Sequence, residues 1–279
     1  MIMNSYEELL LLRFRELSEQ SYQNNTYYFT NFLSAGDAAL VYQAVDRHTA
    51  GNGNSGGNQN PSRNHDSSGY QNSGASEFTL WGGTEGCERV MIRFGNEEEL
   101  GYSVPFPIRI LQVEPLNKKF ADDLTHRDYL GALMNLGIER DTIGDIVVKD
   151  NRAYMFVLDS MAEYICQNMD KVKHTNVKCM ILDTMPEEVR VELAPETVIV
   201  ASIRLDAVIA KLYHISRTET LDLFRKKYVI VNGRICENNS AAPKENDVIA
   251  VRGHGKFIYR RLEHETKKGK LSVLVERYV

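Results

Sequence analysis

The chain has 279 residues, 43% of them hydrophobic and 25% charged, which excludes a wholly disordered or fibrous protein and leaves enough core for two or three domains. Its formal net charge of −5 argues, on its face, against a nucleic-acid binder, whose footprint is usually basic. No stretch approaches ~18 consecutive apolar residues, and no basic region precedes an apolar run at the start. A cytosolic protein without a membrane span is therefore predicted. Cys87, Cys166, Cys179 and Cys236 lie far apart with no Cys-x-x-Cys pair, which predicts reduced, idle thiols rather than a metal site or a disulfide framework.

In chain order, Ser5 and Glu8 make a capping-box pattern, and Tyr6, Leu9, Leu10, Phe14 and Leu17 recur at helical spacing. A second helix is predicted from about Ser34 to Val45, so the N-terminal domain reads as α-rich. Between Thr49 and Ser76, 20 of 28 residues are Gly, Asn, Ser or Gln, a composition that builds no core and predicts a disordered insert. Three glycines in Trp81-Gly82-Gly83-Thr84-Glu85-Gly86 read as a turn rather than a phosphate cradle, because no Gly-Lys-Ser/Thr follows. Val90 to Phe94 then reads as a strand.

The middle third alternates regularly. Strands are predicted at Ile108–Val113, Asp145–Lys149, Ala153–Leu158 and Val177–Leu182, with helices at Thr125–Leu136 and Ser160–Met169. That order, strand-helix-strand-strand-helix-strand, is the ferredoxin-like pattern shared by RNA-recognition modules. The segment Arg152-Ala153-Tyr154-Met155-Phe156-Val157-Leu158-Asp159 meets four of the seven specified positions of the signature that those modules carry. Alternation places Tyr154 and Phe156 on one face as candidates for base stacking. The competing reading is that both rings cover that face or pack against a neighbouring domain.

The charge is unevenly spread. Residues 201–279 hold 16 Lys and Arg against 9 Asp and Glu, a net +7, which leaves −12 for the rest of the chain. A segregated basic field of this kind suits phosphate binding, because neutralising phosphates releases counterions. Leu205, Val208, Ile209 and Leu212 follow the helical period and leave Arg204 and Lys211 on another face. Ser216 and Glu219 suggest a second capping box, and the helix it opens ends in Arg225-Lys226-Lys227. Asn232-Gly233 is the preferred pair for a two-residue hairpin turn, and Asp247 to Gly253 supplies a later strand.

Arg204-Leu205-Asp206, Ser216-Arg217, Val229-Ile230-Val231-Asn232-Gly233, Asn246-Asp247, Val251-Arg252-Gly253 and Gly255-Lys256-Phe257 together resemble the RNA-binding domain named after small-subunit ribosomal protein four. The resemblance implies an RNA-binding set of Arg204, Asp206, Lys211, Ser216, Arg217, Arg225, Lys226, Lys227, Asn232, Arg234, Arg252 and Lys256. His126 to Arg140, Gly144-Asp145-Ile146 and His174-Thr175-Asn176-Val177 resemble the middle domain of the YlmH family of bacterial RNA-binding proteins. Gly82-Gly83, Glu85-Gly86 and Glu88-Arg89 are similar to its N-terminal domain. The resemblance implies a cytoplasmic factor of Gram-positive bacteria in ribosome-associated quality control, with structured rRNA and tRNA and the large ribosomal subunit as partners. It implies no cofactor, no catalytic residue and no metal, and a monomer away from the ribosome.

The expected architecture is α+β in three small domains. These are an α-rich N-terminal domain at 1–104, a ferredoxin-like central domain at 105–200 and a basic two-helix plus β-hairpin domain at 201–279. The main alternative is an RNA-modifying enzyme with its site in the first two domains, near His126, Asp128 or His174, although no acid, base and nucleophile set can be assembled from the motifs. A cell-division-linked adaptor is a third reading.

Overall fold

The computed structural model describes residues 5–49, 76–187 and 192–278. Among these residues, mixed helix and sheet form three antiparallel sheets, each with apolar clusters of its own. Of the expected insert at 49–76, residues 50–75 lie outside the described residues.

The N-terminal unit runs α1 (Ser5–Asn24), β1 (Tyr28–Phe29), β2 (Leu33–Ser34), α2 (Ala35–Ala38), α3 (Leu40–Thr49), β3 (Phe78–Trp81), β4 (Arg89–Phe94) and α4 (Glu97–Leu100). Strand β4 is the hub, pairing with β1, β2 and β3. The apolar stripe of α1 buries Leu11, Phe14 and Leu17 against Val41 and Ala44 of α3 and Ile92 and Phe94 of β4. Beside its helices the unit carries β1, β2 and β3, strands that the sequence reading lacks. Strands of two residues are too short to show a period.

The central unit runs β5 (Ile108–Pro115), α5 (His126–Asn135), β6 (Ile143–Lys149), β7 (Arg152–Leu158), α6 (Asp159–Asn168), β8 (Lys171–Val172) and β9 (Thr175–Leu182). Its sheet order is β6-β7-β5-β9-β8, so each helix crosses between strands that flank a third. The β6–β7 turn uses Asp150 and Asn151, both at positive φ (51° and 60°). Asn and Asp tolerate that left-handed region better than most residues. Leu111, Val113, Met155 and Val157 face the helices and bury Tyr129, Leu133 and Ile165. Cys166 on α6 and Cys179 on β9 are joined as a disulfide with Cα atoms 4.8 Å apart. This corrects the expectation of four reduced thiols: packing of α6 on the sheet brings together positions whose sequence spacing shows no pairing. Cys87 and Cys236 are free.

The C-terminal unit contains β10 (Leu193–Val200), α7 (Leu205–Leu212), α8 (Arg217–Arg225), β11 (Val229–Val231), β12 (Arg234–Ile235), β13 (Val248–Val251), β14 (Gly255–Glu265) and β15 (Leu271–Tyr278). Its sheet order is β10-β15-β14-β13-β11-β12. Strand β10 pairs with β15 from Leu193↔Tyr278 to Val200↔Leu271, so residues ahead of 201 also belong to this sheet. The apolar faces of α7 and α8 pack on this sheet through Val208, Ile209, Leu212 and Phe224. The expected two helices and hairpin are present, mounted on a sheet larger than the sequence reading contains.

Candidate nucleic-acid interface

Helix α7 buries Leu205, Val208, Ile209 and Leu212, and Arg204 precedes it with extended backbone. The Arg204 guanidinium forks onto Asp206, with Nε–Oδ1 at 3.1 Å and a terminal nitrogen at 2.6 Å from Oδ2. Asn239 donates a further bond of 2.8 Å to the same carboxylate. Burial pushes the Asp206 carboxyl up, but the bonds from Arg204 and Asn239 outweigh it and hold the group below its ordinary value. Asp206 is 5% exposed, so it anchors α7 to the 236–241 loop and does not face RNA. A buried carboxylate needs such partners, and Arg204 supplies them.

Helix α8 starts as expected, with the Glu219 N–H donating to Ser216 Oγ at 3.1 Å. The hydroxyl of Ser216 is therefore engaged in the cap. In the β11–β12 hairpin, Asn232 and Gly233 both have positive φ (50° and 77°), as a type I′ turn requires. The exposed Asn232 side chain accepts from Val248 N–H at 2.9 Å and donates to Asp247 at 2.7 Å, which ties the turn to the start of β13.

Exposure divides the basic residues. Lys211, Arg217, Arg225, Lys226 and Arg252 are exposed on α7, α8, its C-cap and the β13–β14 turn. Arg225 bonds Asp222 at 2.9 Å, an exposed pair of small energetic weight, and Arg252 lies 5.0 Å over the Tyr228 ring. Three other expected phosphate ligands, the half-buried Lys227 and Lys256 and the exposed Arg234, have partners in the N-terminal unit. Arg234 stands 4.7 Å over Tyr42 of α3, and Lys227 Nζ lies 4.0 Å from Glu7. Lys256 Nζ donates to the carbonyls of Gly86 and Cys87 at 3.2 and 2.7 Å, and burial lowers its pKa. Lys256 is a fastener between units and not an RNA contact. A basic side chain reads alike in either role until its neighbours are known.

The stacking pair of the central unit is also corrected. Tyr154 and Phe156 are 1% and 0% exposed. Phe156 clusters with Phe32, Cys87 and Met91 of the N-terminal unit. Gly83, at φ 106°, lies against the Phe156 ring where an added Cβ would collide, so the glycine-rich turn is a cover for this face. Arg89 reinforces the cover by donating to the carbonyls of Phe32, Ile143 and Arg140 at 2.8, 2.8 and 3.2 Å. Asp145 in turn accepts from the N–H groups of Glu88 and Arg89. The buried-aromatic alternative is the one the fold adopts.

The residues of the enzyme alternative have other uses. Asp128 caps α5, accepting from the N–H and hydroxyl of Thr125 at 2.8 and 2.7 Å, and pairs with Lys173 at 2.8 Å. The bond from Lys173, with those from Thr125, pulls its carboxyl down to about 2. Burial, then the charge of Arg140, lowers the His126 pKa. His174 contributes its backbone N–H to Asp122.

The family model described as "Putative RNA-binding domain in YlmH" matches residues 103–185, the central unit and its flanks. The curated "Ribosome-associated protein quality control protein P2" of Bacillus subtilis (strain 168) is 31% identical over 172 residues, 60% of this chain. This chain belongs to the YlmH family. The match spans 66% of that relative's length. Among solved structures, "Cell division protein ylmH from Streptococcus pneumoniae" is 16% identical, with a TM-score of 0.45 over 65% of this chain and 94% of that one. The YlmH-type domain named for RNA binding is thus the unit whose Phe156 lies under the N-terminal unit.

Proposed function

We propose that this protein is a non-enzymatic, cytoplasmic RNA-binding factor that acts on the ribosome in quality control. In this reading it is a monomer away from the ribosome, and it grips rRNA and tRNA of the large subunit through its C-terminal unit. The observation that carries the reading is the exposed cation set Lys211, Arg217, Arg225, Lys226 and Arg252 on one basic unit of an otherwise acidic chain. The printed name of the Bacillus relative, a ribosome-associated quality control protein, supports the ribosome as the setting. The acidic remainder, organised as N-terminal and central units, orients the basic reader and repels non-specific phosphate contacts.

Phosphate contacts of this kind make binding fall steeply with salt, by a log-log slope of roughly 0.7 to 0.9 per phosphate neutralised. The decisive experiment reverses two cations that the fold does not need. Arg217→Glu with Arg252→Glu is expected to abolish cosedimentation with large ribosomal subunits while the far-UV spectrum and unfolding midpoint stay unchanged. Undiminished cosedimentation of the double variant sinks the proposal. Arg204 is unsuited to this test, because its replacement strands the buried Asp206 carboxylate.

A further inference from the structure

The N-terminal unit closes the part of the central sheet around Ile143, Gly144 and Phe156. The opposite end of the central unit carries the end of β5, a short 3-10 turn at Lys118–Phe120 and the β6–β7 and β8–β9 turns. Hydrogen bonds tie these segments into one platform. Asn151 accepts from Leu124 N–H and donates to the Asp122 carbonyl, at 3.3 and 3.0 Å. The Asp122 carboxylate accepts from the Thr175 hydroxyl at 3.1 Å and from His174 N–H at 3.3 Å. Leu116 N–H donates to the Asn176 carbonyl at 2.9 Å.

On this platform Phe120 is 79% exposed, the largest value among the large apolar side chains of the described residues, and Leu116 is 63% exposed. The Asn117 side chain caps the turn by accepting from Lys119 N–H at 3.1 Å, so the backbone that presents the ring is held. Lys119 Nζ lies 5.7 Å from the ring centroid. On the adjoining sheet face, Glu114 is met by Lys178 at 2.8 Å and Arg152 at 3.1 Å. The hydrogen bond from Lys178, with the charges of Arg152 and Lys118, outweighs burial and holds the Glu114 carboxyl below its ordinary range. Three cations thus gather around the Glu114 carboxylate, and Lys119 adds a fourth at the exposed ring.

A stacked duplex offers no base to such a ring, whereas an unpaired nucleotide offers both a π face and flanking phosphates. We propose that Phe120, with Lys118 and Lys119 beside it and Arg152 and Lys178 behind, is a second RNA contact that stacks one unpaired nucleotide of the RNA held by the C-terminal unit. This deepens the RNA-binding reading above and rests on it. It also gives the central unit an RNA surface at its open end, away from the sheet residues that packing has consumed.

The test uses the full chain and two fluorescein-labelled probes, a stem–loop RNA with an unpaired uridine loop and a blunt duplex of the same stem, read by fluorescence anisotropy. Phe120→Ala is expected to weaken stem–loop binding by about fivefold or more, as loss of one base–aromatic stack does. Phe120→Trp should restore it, and duplex binding should be unchanged. Lys118→Ala with Lys119→Ala should flatten the salt dependence by about 0.7 per lost contact. Stem–loop affinity of Phe120→Ala equal to that of the parent overturns the proposal. If, in that case, Arg217→Glu with Arg252→Glu still abolishes binding of both probes, the C-terminal reading survives alone; if it does not, both readings fall. Loss of ribosome cosedimentation by Phe120→Ala with unchanged stem–loop binding assigns the ring to a protein partner and also overturns the proposal.

Discussion

The central sheet and the C-terminal helices both carry residue patterns that suggest RNA, yet they use them oppositely. In the sheet, Tyr154 and Phe156 are buried, with Phe156 locked beneath Gly83 and Phe32. On the helices, Arg217 and Lys211 stand in solvent beyond a fully buried apolar face. The difference teaches that a pattern match names a residue type, while the neighbouring unit decides whether that residue is surface or core. An aromatic ring gains most from being covered, whereas a cation pays heavily for being covered.

Substitutions can break this contrast, and the largest effect belongs to the sheet. Phe156→Ala should cost about 3–5 kcal/mol in urea unfolding, the range for truncating a fully buried aromatic, with no direct change at the RNA-binding face. A cost below about 1 kcal/mol would mean that the N-terminal cover is not tightly seated. Next comes Asp206→Ala, which removes the charged bonds made by Arg204 and Asn239 and should cost about 1.5–3 kcal/mol. Lys256→Ala strips the carbonyls of Gly86 and Cys87 of their donor and should cost about 1–2 kcal/mol, seen as a lower unfolding midpoint. Arg217→Ala, by contrast, should move stability by less than about 0.5 kcal/mol, so its whole effect should be read in RNA binding.

The smallest expected effect is an acid one. The Asp128 carboxyl is lowered from its ordinary 3.8 to about 2 in the folded chain, so the folded state favours its ionised form. Its stabilisation is fully present above pH 3.8 and is lost as pH falls toward 2. Asp128→Asn should flatten that part of the unfolding profile, and an unchanged profile would show that Lys173 and Thr125 do not hold the charge.

Legibility followed the range of the interactions. Apart from the two-residue β8, the central order of strands and helices was readable because each element is long enough to show its period and the turns are short. Thr125 and Gly137 mark the ends of α5, and Asp150-Asn151 marks the hairpin. Strand β14 was not readable: Phe257, Ile258 and Tyr259 are all buried, and the stretch then turns into the exposed run Arg261–Glu265, so neither part alternates. Strand β10 was missed because its partner, β15, lies at the far end of the chain. Within the candidate site, Arg217 and Arg252 were readable as exposed cations. The diversion of Lys256 and Arg234 toward the N-terminal unit depends on contacts between units, which no local window contains. Phe120 escaped notice for a related reason: a lone aromatic in a loop has no period, and only its exposure sets it apart.

The fastening of the N-terminal unit also shapes how the sequence can drift. Lys256 and Arg89 reach across to main-chain carbonyls, at Gly86 and Cys87 in one case and at Arg140 and Ile143 in the other. Every residue type offers the same carbonyl, so the hydrogen bonds themselves ask nothing of the acceptor side chains. Tolerance to mutation should therefore be lopsided: replacing either long cation costs stability, whereas the loops they hold can change identity at exposed positions without letting go.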